Sequence, residues 1–199
     1  MKKRTQIFLQ GLLFLLPFTS ATVSAEKVRF AIPSRSVSIM PIFIAFKEGF
    51  YRDEGMDVEI INMSSQMALT ATVAGSVDFS SSPGTATNAA VRGIDLKIIF
   101  IVGQKPLHDL ITHPSIRSFA ELKGRVVGVD TFGSMSDFLT RKILRKNGLE
   151  PDRDVAVRMV GTDNVRMAAL KKGIVAGALM TIPYNFLAQK EGFRRLAYA

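Results

Sequence analysis

The chain has 199 residues, a formal net charge of +9 and no cysteine. The absence of cysteine excludes a scaffold held by disulfides, and it excludes a lipoprotein, whose lipid is attached to a cysteine at the cleavage site. The basic residues are spread along the chain, which argues against a nucleic-acid-binding patch because such a patch needs clustered positive charge.

The N-terminal segment, residues 1–25, has the three parts of a secretory signal peptide. Residues 2–4 are basic, residues 7–18 are mostly apolar, and residues 23–25 (Val-Ser-Ala) form a small-residue cleavage site. The apolar stretch is shorter than the ~20 residues that a membrane-spanning helix needs. The sequence therefore predicts cleavage after residue 25 and, without a lipoprotein cysteine, a soluble protein in the periplasm.

The rest of the chain contains the same order of elements twice. Each copy opens with a short apolar strand and a polar loop, and continues with a helix that ends at glycine, a D-V-x-[IV] strand, a second helix and a G-x-V stretch. Strands that alternate with helices at this spacing are typical of a mostly parallel α/β sheet. The sequence predicts two βαβ-type lobes around a cleft, with lobe one at residues 26–105, a crossover at 106–117 and an incomplete lobe two at 118–199.

Lobe one begins with an apolar strand directly after the cleavage site. Its predicted strands are residues 27–32, 57–62, 77–80 and 96–102; its predicted helices are residues 41–48, one that begins at Ser64 or Ser65 and ends at Gly75, and one that ends near Gly93. Residues 96–102 are a near-continuous apolar run, which is typical of a strand buried on both faces.

Lobe two follows the crossover, which carries Pro106 and Pro114. Its predicted strands are residues 125–129, 154–160, 175–180 and 193–198; its predicted helices are residues 119–123, 134–147, 163–172 and one that opens at 181–183 and runs to 190. Ser134 and Asp137 have the S-x-x-D spacing of a capping box at the start of the second of these helices.

The candidate binding residues lie in loops after strands. In open α/β sheets ligands bind beyond the carboxyl ends of the strands, where helix N-termini offer unpaired N–H groups to an anion. Small hydroxyl residues and glycine also allow backbone amides to approach a ligand. The candidates are Ser34, Arg35, Ser36, Ser38, Ser82, Gly84, Thr85, Thr131, Phe132, Gly133, Ser134, Thr181 and Tyr184.

Several of these residues have a second interpretation. The Arg35 guanidinium is suited to grip an oxyanion with two hydrogen bonds, or else it points to solvent. Phe132 and Tyr184 either stack on a planar ligand or pack in a core or hinge, and Ser134 is explained equally well as a helix cap. Asp78 follows a glycine at a strand start, where its carboxylate is expected to accept from local backbone N–H groups.

The sequence offers no pattern for catalysis or for a metal or other cofactor. The two histidines, His108 and His113, are five positions apart without a nearby cysteine, which is not a metal-ligand spacing. The motifs G-x-S-x-G, H-E-x-x-H and the phosphate-binding P-loop do not occur. These observations favour a binding protein over an enzyme.

Four stretches, in order, resemble one family. Residues 47–60 (KEGFYRDEGMDVEI), 74–79 (AGSVDF), 120–129 (AELKGRVVGV) and 147–155 (NGLEPDRDV) are similar to solute-binding proteins of ABC importers of the nitrate/sulfonate/taurine and thiamine-precursor type. The resemblance implies a type II periplasmic binding fold. It also implies that a small anionic or polar organic solute, such as a sulfonate, a carboxylate or a pyrimidine, is delivered by a monomer to a membrane permease with its ATPase, without a cofactor or nucleic acid.

The sequence departs from that family in two places. The second G-x-V-D position reads Gly-Ile-Val-Ala at residues 173–176, without the aspartate. Family members are also longer, and their last segment returns to complete lobe one, so we expect that return segment to be missing here. Two alternatives follow: a sensory or interaction module of the same fold, or a truncated fragment that binds no solute.

Overall fold

The computed structural model describes residues 25–103 and 105–199, and these residues form two β-sheets flanked by helices. The expected signal peptide falls on residues 1–24 and the cleavage position, and so lies almost wholly outside the described residues. Within the described ranges, no helix has both the length and the apolar character needed to cross a bilayer.

The strands divide between a three-stranded sheet of order β2-β1-β3 and a five-stranded sheet of order β6-β5-β7-β4-β8. We refer to the first sheet with its helices as lobe one and to the second as lobe two. The strands are β1 (Glu26–Ile32), β2 (Met56–Asn62), β3 (Phe79–Ser80), β4 (His108–Thr112), β5 (Val126–Val129), β6 (Ala156–Met159), β7 (Gly177–Thr181) and β8 (Arg194–Tyr198).

The α-helices follow the strands and cover the sheets, as the alternating pattern predicts. They are α1 (Met40–Lys47), α2 (Phe50–Asp53), α3 (Ser65–Val73), α4 (Pro83–Val91), α5 (Met135–Lys146), α6 (Asp163–Lys171) and α7 (Tyr184–Lys190). The predicted helix at residues 119–123 is a single 3₁₀ turn, Ala120–Leu122.

Lobe one is built on β1, which pairs in parallel with β2 on one side and with β3 on the other. Its cores are small: one groups Ala31, Ala68 and Val77, and the other is centred on Ile32. Asp78 accepts a 2.7 Å hydrogen bond from the backbone N–H of Arg29, so its carboxylate serves backbone pairing in the way that its position after a glycine suggests.

Lobe two contains the larger core. The inner face of α5 packs Leu139, Ile143 and Leu144 against buried residues of the sheet, among them Val127 and Leu179. Both β6 and β7 pair with β5 in parallel, while β4 is antiparallel to both of its neighbours. The prediction of a mostly parallel sheet therefore holds for β5, β6 and β7, and β4 is the exception.

Strand β4 lies within residues 106–117, where the sequence predicts only a crossover. It enters between β7 and β8, and its residues Asp109 to Thr112 are all buried. The strand escapes sequence reasoning because it is short and stands between two prolines, and because its partners are 65 or more positions away in the chain (Thr112 opposite Gly177).

The predicted strand at residues 96–102 is wrong. Residues 94–100 have no regular secondary structure, and the side chains of Ile98, Ile99, Phe100 and Ile101 are 68–72% exposed. A strand needs a neighbour to satisfy its backbone N–H and C=O groups, and this run pairs with no strand among the described residues. Its apolar composition alone cannot supply that neighbour.

Two truncations distinguish a core strand from this exposed run. We expect Leu179→Ala, in β7, to lower the free energy of unfolding by about 2–5 kcal/mol, because Leu179 is fully buried. Ile99→Ala should change it by less than about 0.5 kcal/mol, because Ile99 is 71% exposed. Urea denaturation of both variants measures the difference, and comparable losses would show that residues 96–102 are a buried strand after all.

Candidate functional site

The candidate site lies between the lobes, where loops from both sheets meet. The Ser34 and Thr181 hydroxyls are 3.1 Å apart, and the backbone N–H of Val37 donates to the carbonyl oxygen of Ile182 at 2.9 Å. Ser34 follows β1 and Thr181 ends β7. Two of the loops that the sequence singles out, 34–38 and 181–184, are therefore in direct contact across the cleft.

A second set of contacts joins the lobes at helix N-termini. The Asn88 amide of α4 donates to the carbonyl oxygen of Gly133 at 2.7 Å. Gly84, in the first turn of α4, lies so close to the start of α5 that a Cβ added there would be 2.5 Å from the backbone nitrogen of Met135. Loops 81–85 and 131–135 thus form the other half of the interlobe contact.

The start of α5 is capped as its sequence predicts, with one difference. The Ser134 hydroxyl accepts from the backbone N–H of Asp137 at 3.3 Å. The Asp137 carboxylate reaches back to the N–H of Gly133 rather than to that of Ser134, which instead donates to the carbonyl oxygen of Thr131. This reciprocal cap holds the 131–134 loop in a defined conformation beside lobe one.

Buried hydroxyl groups without a hydrogen-bond partner are concentrated at this junction. Ser82 and Thr85 are 4% exposed and Thr131 is 9% exposed. The side-chain oxygens of these three residues, and that of Ser81, have no partner among the described residues. Most buried polar groups in native proteins are paired, so an unpaired group at a junction between lobes calls for a ligand or solvent partner.

A buried ion pair between Asp163 and Arg166 adjoins the contact between Ser34 and Thr181. Arg166 donates to Asp163 at 2.6 Å and to the carbonyl oxygen of Leu179 at 2.9 Å. Thr181 donates to Asp163 through its N–H at 3.1 Å and through its hydroxyl at 2.9 Å. Because the Thr181 proton is used in this way, the Ser34 hydroxyl must be the donor to Thr181.

The charges around this pair shift two titratable groups. Burial alone would raise the pKa of Asp163, but the Arg166 charge and the hydrogen bonds from Thr181 outweigh it, so the pKa is lowered. Burial lowers the pKa of His108, which stands opposite Thr181 on β4, to about 4, against the opposing effect of the Asp163 charge. His108 is therefore neutral near pH 7.

The aromatic and cationic candidates lie at the margin of the site. Arg35 is exposed and makes no hydrogen bond or ion pair with the part of the chain that the structure describes. Its charge acts on Tyr184, whose pKa is raised by burial and by Asp163. Phe132 is 46% exposed and packs beneath the Arg141 guanidinium at 5.7 Å, so its ring is engaged by α5.

The remaining candidates fall into two groups. Ser36 and Ser38 hydrogen-bond to each other at 2.5 Å at the start of the loop after β1. The residues that the structure brings together at the buried interlobe junctions are Ser34, Ser82, Gly84, Thr85, Thr131, Gly133, Ser134 and Thr181. These eight stay candidates for solute contact on the basis of position and burial.

Sequence reasoning missed two buried carboxylates, Asp130 and Asp163. Asp163 belongs to the ion pair, and Asp130 accepts from the Ser65 backbone N–H across the cleft at 3.0 Å. One signal was present: Asp130 directly follows the apolar strand V-V-G-V, and an acid in that position lies at the ligand-binding edge of a parallel sheet. No group of three or more acidic or histidine side chains in the described residues is arranged to hold a metal ion.

Comparison with known proteins identifies relatives of the chain. The family model described as NMT1/THI5-like matches residues 36–193. No curated protein matches. Among solved structures, a protein from Bordetella bronchiseptica RB50 is 28% identical with a TM-score of 0.69, and the match covers 86% of this chain and 55% of that one.

Two further structures carry functional names. The alkanesulfonate-binding protein SsuA from Xanthomonas axonopodis pv. citri, bound to MOPS, is 22% identical over 86% of this chain and 60% of its own, with a TM-score of 0.69. The periplasmic nitrate-binding protein NrtA from Synechocystis PCC 6803 is 17% identical over 86% of this chain and 51% of its own, with a TM-score of 0.71. The described residues therefore have the periplasmic binding protein fold, and the chain spans just over half the length of these relatives.

The lowered pKa of His108 predicts a loss of stability in mild acid. Between the ordinary pKa of 6.5 and the folded value of about 4, the unfolded state binds the proton more tightly. The contribution of neutral His108 to the free energy of unfolding is complete above pH 6.5 and is lost as the pH falls towards 4. At about pH 5 the loss amounts to about 2 kcal/mol. Urea denaturation between about pH 7 and about pH 5 should show this loss in the native sequence and much less of it in His108→Gln.

His113→Gln is the matched control, because His113 is exposed and its ring hydrogen-bonds to no described residue other than Ser115. It should keep the pH dependence of the native sequence. An identical pH dependence in His108→Gln would show that His108 is not the group responsible.

Proposed function

Because this chain belongs to the NMT1/THI5-like family, we propose that it is the solute-binding component of an ABC importer, which holds a small anionic or polar organic solute between its lobes. The observation that carries the proposal is the set of buried, unpaired hydroxyl groups at the interlobe junction, on Ser81, Ser82, Thr85 and Thr131. They lie beside the N-termini of α4 and α5, where the helix dipoles favour negative charge.

The nature of these groups supports binding rather than catalysis. Hydroxyls and backbone N–H groups can surround an oxyanion or a polar ring. For catalysis, a hydroxyl would need a positioned base to become a nucleophile. Burial lowers the pKa of the nearby histidine, His108, to about 4, which makes its ring a poor general base near pH 7. We therefore propose that the solute is bound and released unchanged.

The site and the relatives support the proposed class of solute. The two named relatives are an alkanesulfonate-binding protein and a nitrate-binding protein. A sulfonate, a carboxylate or a pyrimidine-like ring with oxygen substituents would meet the hydroxyl groups with acceptor atoms. We include in this proposal a periplasmic location, a monomeric state and delivery of the solute to a membrane permease with its ATPase. The boundaries of the lobes, at residues 105 and 118, are also part of it.

Closure of the lobes around the solute depends on the approach of α4 to α5. The first turn of α4 contacts α5 through Gly84, where there is no room for a side chain. A residue with a Cβ at this position would keep the two helix N-termini apart. Closure is then incomplete, and solvent reaches the hydroxyl groups that the solute would otherwise contact.

Thermal melts of the purified protein test the proposal. The panel contains alkanesulfonates, nitrate, aromatic carboxylates and pyrimidines. A ligand present at about 100 times its Kd should add about 2.7 kcal/mol of stability and raise Tm by several degrees. The compound should be recovered unchanged. A protein whose melt responds to no member of the panel, or which converts one of them, would contradict the proposed function.

Gly84→Ala tests whether closure contributes to binding. We expect it to weaken binding of the active compound at least about tenfold, because the added methyl group meets the backbone of Met135 at 2.5 Å. The unliganded melt measures the cost of this overpacking separately, and we expect that cost to be about 1–3 kcal/mol. Gly103→Ala is the control, because an added Cβ there meets nothing within 4 Å. Equal affinities of the two variants would show that this approach of the helices is not needed for binding.

A further inference from the structure

Asp130 holds a carboxylate in a fixed position between the two lobes. It directly follows β5 and is 4% exposed. Its backbone N–H donates to the Ser136 hydroxyl at 2.9 Å, and its carbonyl oxygen accepts from the N–H of Gly161 at 3.1 Å. The backbone on both sides of the side chain is thus anchored within lobe two.

The two carboxylate oxygens of Asp130 have different surroundings. Oδ2 accepts from the backbone N–H of Ser65, at the start of α3 in lobe one, at 3.0 Å. Oδ1 is buried and accepts no hydrogen bond from any described residue. Capping α3 therefore explains one oxygen of the carboxylate and leaves the other without a function in the protein.

The contrast with Asp163 shows what a satisfied buried carboxylate looks like in this chain. Asp163 faces the Arg166 guanidinium and accepts two hydrogen bonds from Thr181. Asp130 takes part in no ion pair within the described ranges. The cation Arg141, on α5, is paired with Asp137 and Asp152. A buried acceptor left in this state is costly unless a donor arrives from elsewhere.

Asp130 is connected to the candidate site through a short series of contacts. Ser136, which accepts from its backbone N–H, is hydrogen-bonded to the Ser134 hydroxyl at 2.9 Å. Ser134 and Met135 in turn meet Gly84 of lobe one. The next residue after Asp130 is Thr131, whose hydroxyl is also buried and unpaired. The Asp130 carboxylate, which reaches lobe one at Ser65, is therefore part of the same interlobe junction.

We propose that Asp130 selects solutes that carry a hydrogen-bond donor, in the form of an ammonium group or an amino substituent on a ring, and that Oδ1 accepts from that donor. This inference rests on the proposed function. The solute would place its oxygen-rich end towards the hydroxyls and helix N-termini, and its amino group towards Asp130. A solute with negative charge alone would meet a second negative charge at this position, which disfavours it.

Pairs of probes that differ by one amino group test this assignment directly. The pairs are 2-aminoethanesulfonate with ethanesulfonate, β-alanine with propionate, and 4-aminopyrimidine with pyrimidine. Isothermal titration with the native sequence should show, for the pair that binds, a preference of at least about tenfold for the amino member, as expected when a buried charged acceptor is otherwise left unpaired.

Asp130→Asn separates solute recognition from the structural role of the residue. The asparagine oxygen can still accept from Ser65, while its NH₂ group replaces the free acceptor with a donor. We expect this variant to lose the preference for the amino member and to bind the amino-free member more tightly. Asp78→Asn removes the same charge at the exposed Arg29 contact and should leave the preference unchanged.

The possible results are distinguishable. If the amino-free member of each pair binds the native sequence as tightly as the amino member, the role of Asp130 is overturned while the proposed function stands. A preference that survives in Asp130→Asn would overturn it in the same way. If no member of any pair binds, the assignment of Asp130 fails; the proposed function fails as well only if the thermal melts also respond to no member of the wider panel. The comparison within the native sequence does not depend on how well the variant folds.

Discussion

Parallel pairing around two central strands is the constraint on which the rest of the molecule depends. β2 and β3 run parallel to β1, and β6 and β7 run parallel to β5. The carboxyl ends of the strands in each group therefore lie at one edge of the sheet. Helices that follow those strands begin at the same edge, so their unpaired N–H groups gather there. Placing the two edges against each other produces a polar junction inside a protein whose sheets are apolar.

That junction is held mostly by groups that satisfy one another across the lobes, and the exceptions define the candidate site. The Ser34–Thr181–Asp163–Arg166 series is joined by hydrogen bonds and an ion pair from one member to the next. The hydroxyls near α4 and the Oδ1 atom of Asp130 are buried to a similar degree and have no hydrogen-bond partner among residues 25–103 and 105–199. The two polar clusters therefore differ in whether their hydrogen-bonding groups find partners within the described residues.

Much of the fold could be predicted from local patterns, and the failures share one cause. Amphipathic α5, its Ser134 cap and the strands around it are encoded within a few residues of sequence, so they were predicted nearly to their ends. Residues 96–102 and β4 depend on whether a neighbouring strand is present, which no local pattern reports. The candidate loops could be placed from strand ends, whereas Asp130 and Ser65 meet across 65 positions of the chain, and only the folded structure brings them together.

The contact between Gly84 and Met135 also determines how the cleft can open. Side chains that meet across an interface can change rotamer and release their hold in small steps, but a contact made by backbone atoms has no rotamers to exchange. The starts of α4 and α5 must therefore separate as rigid bodies. Escape of a bound solute would then be an all-or-none event rather than a gradual loosening, and its rate would be governed by the motion of whole lobes.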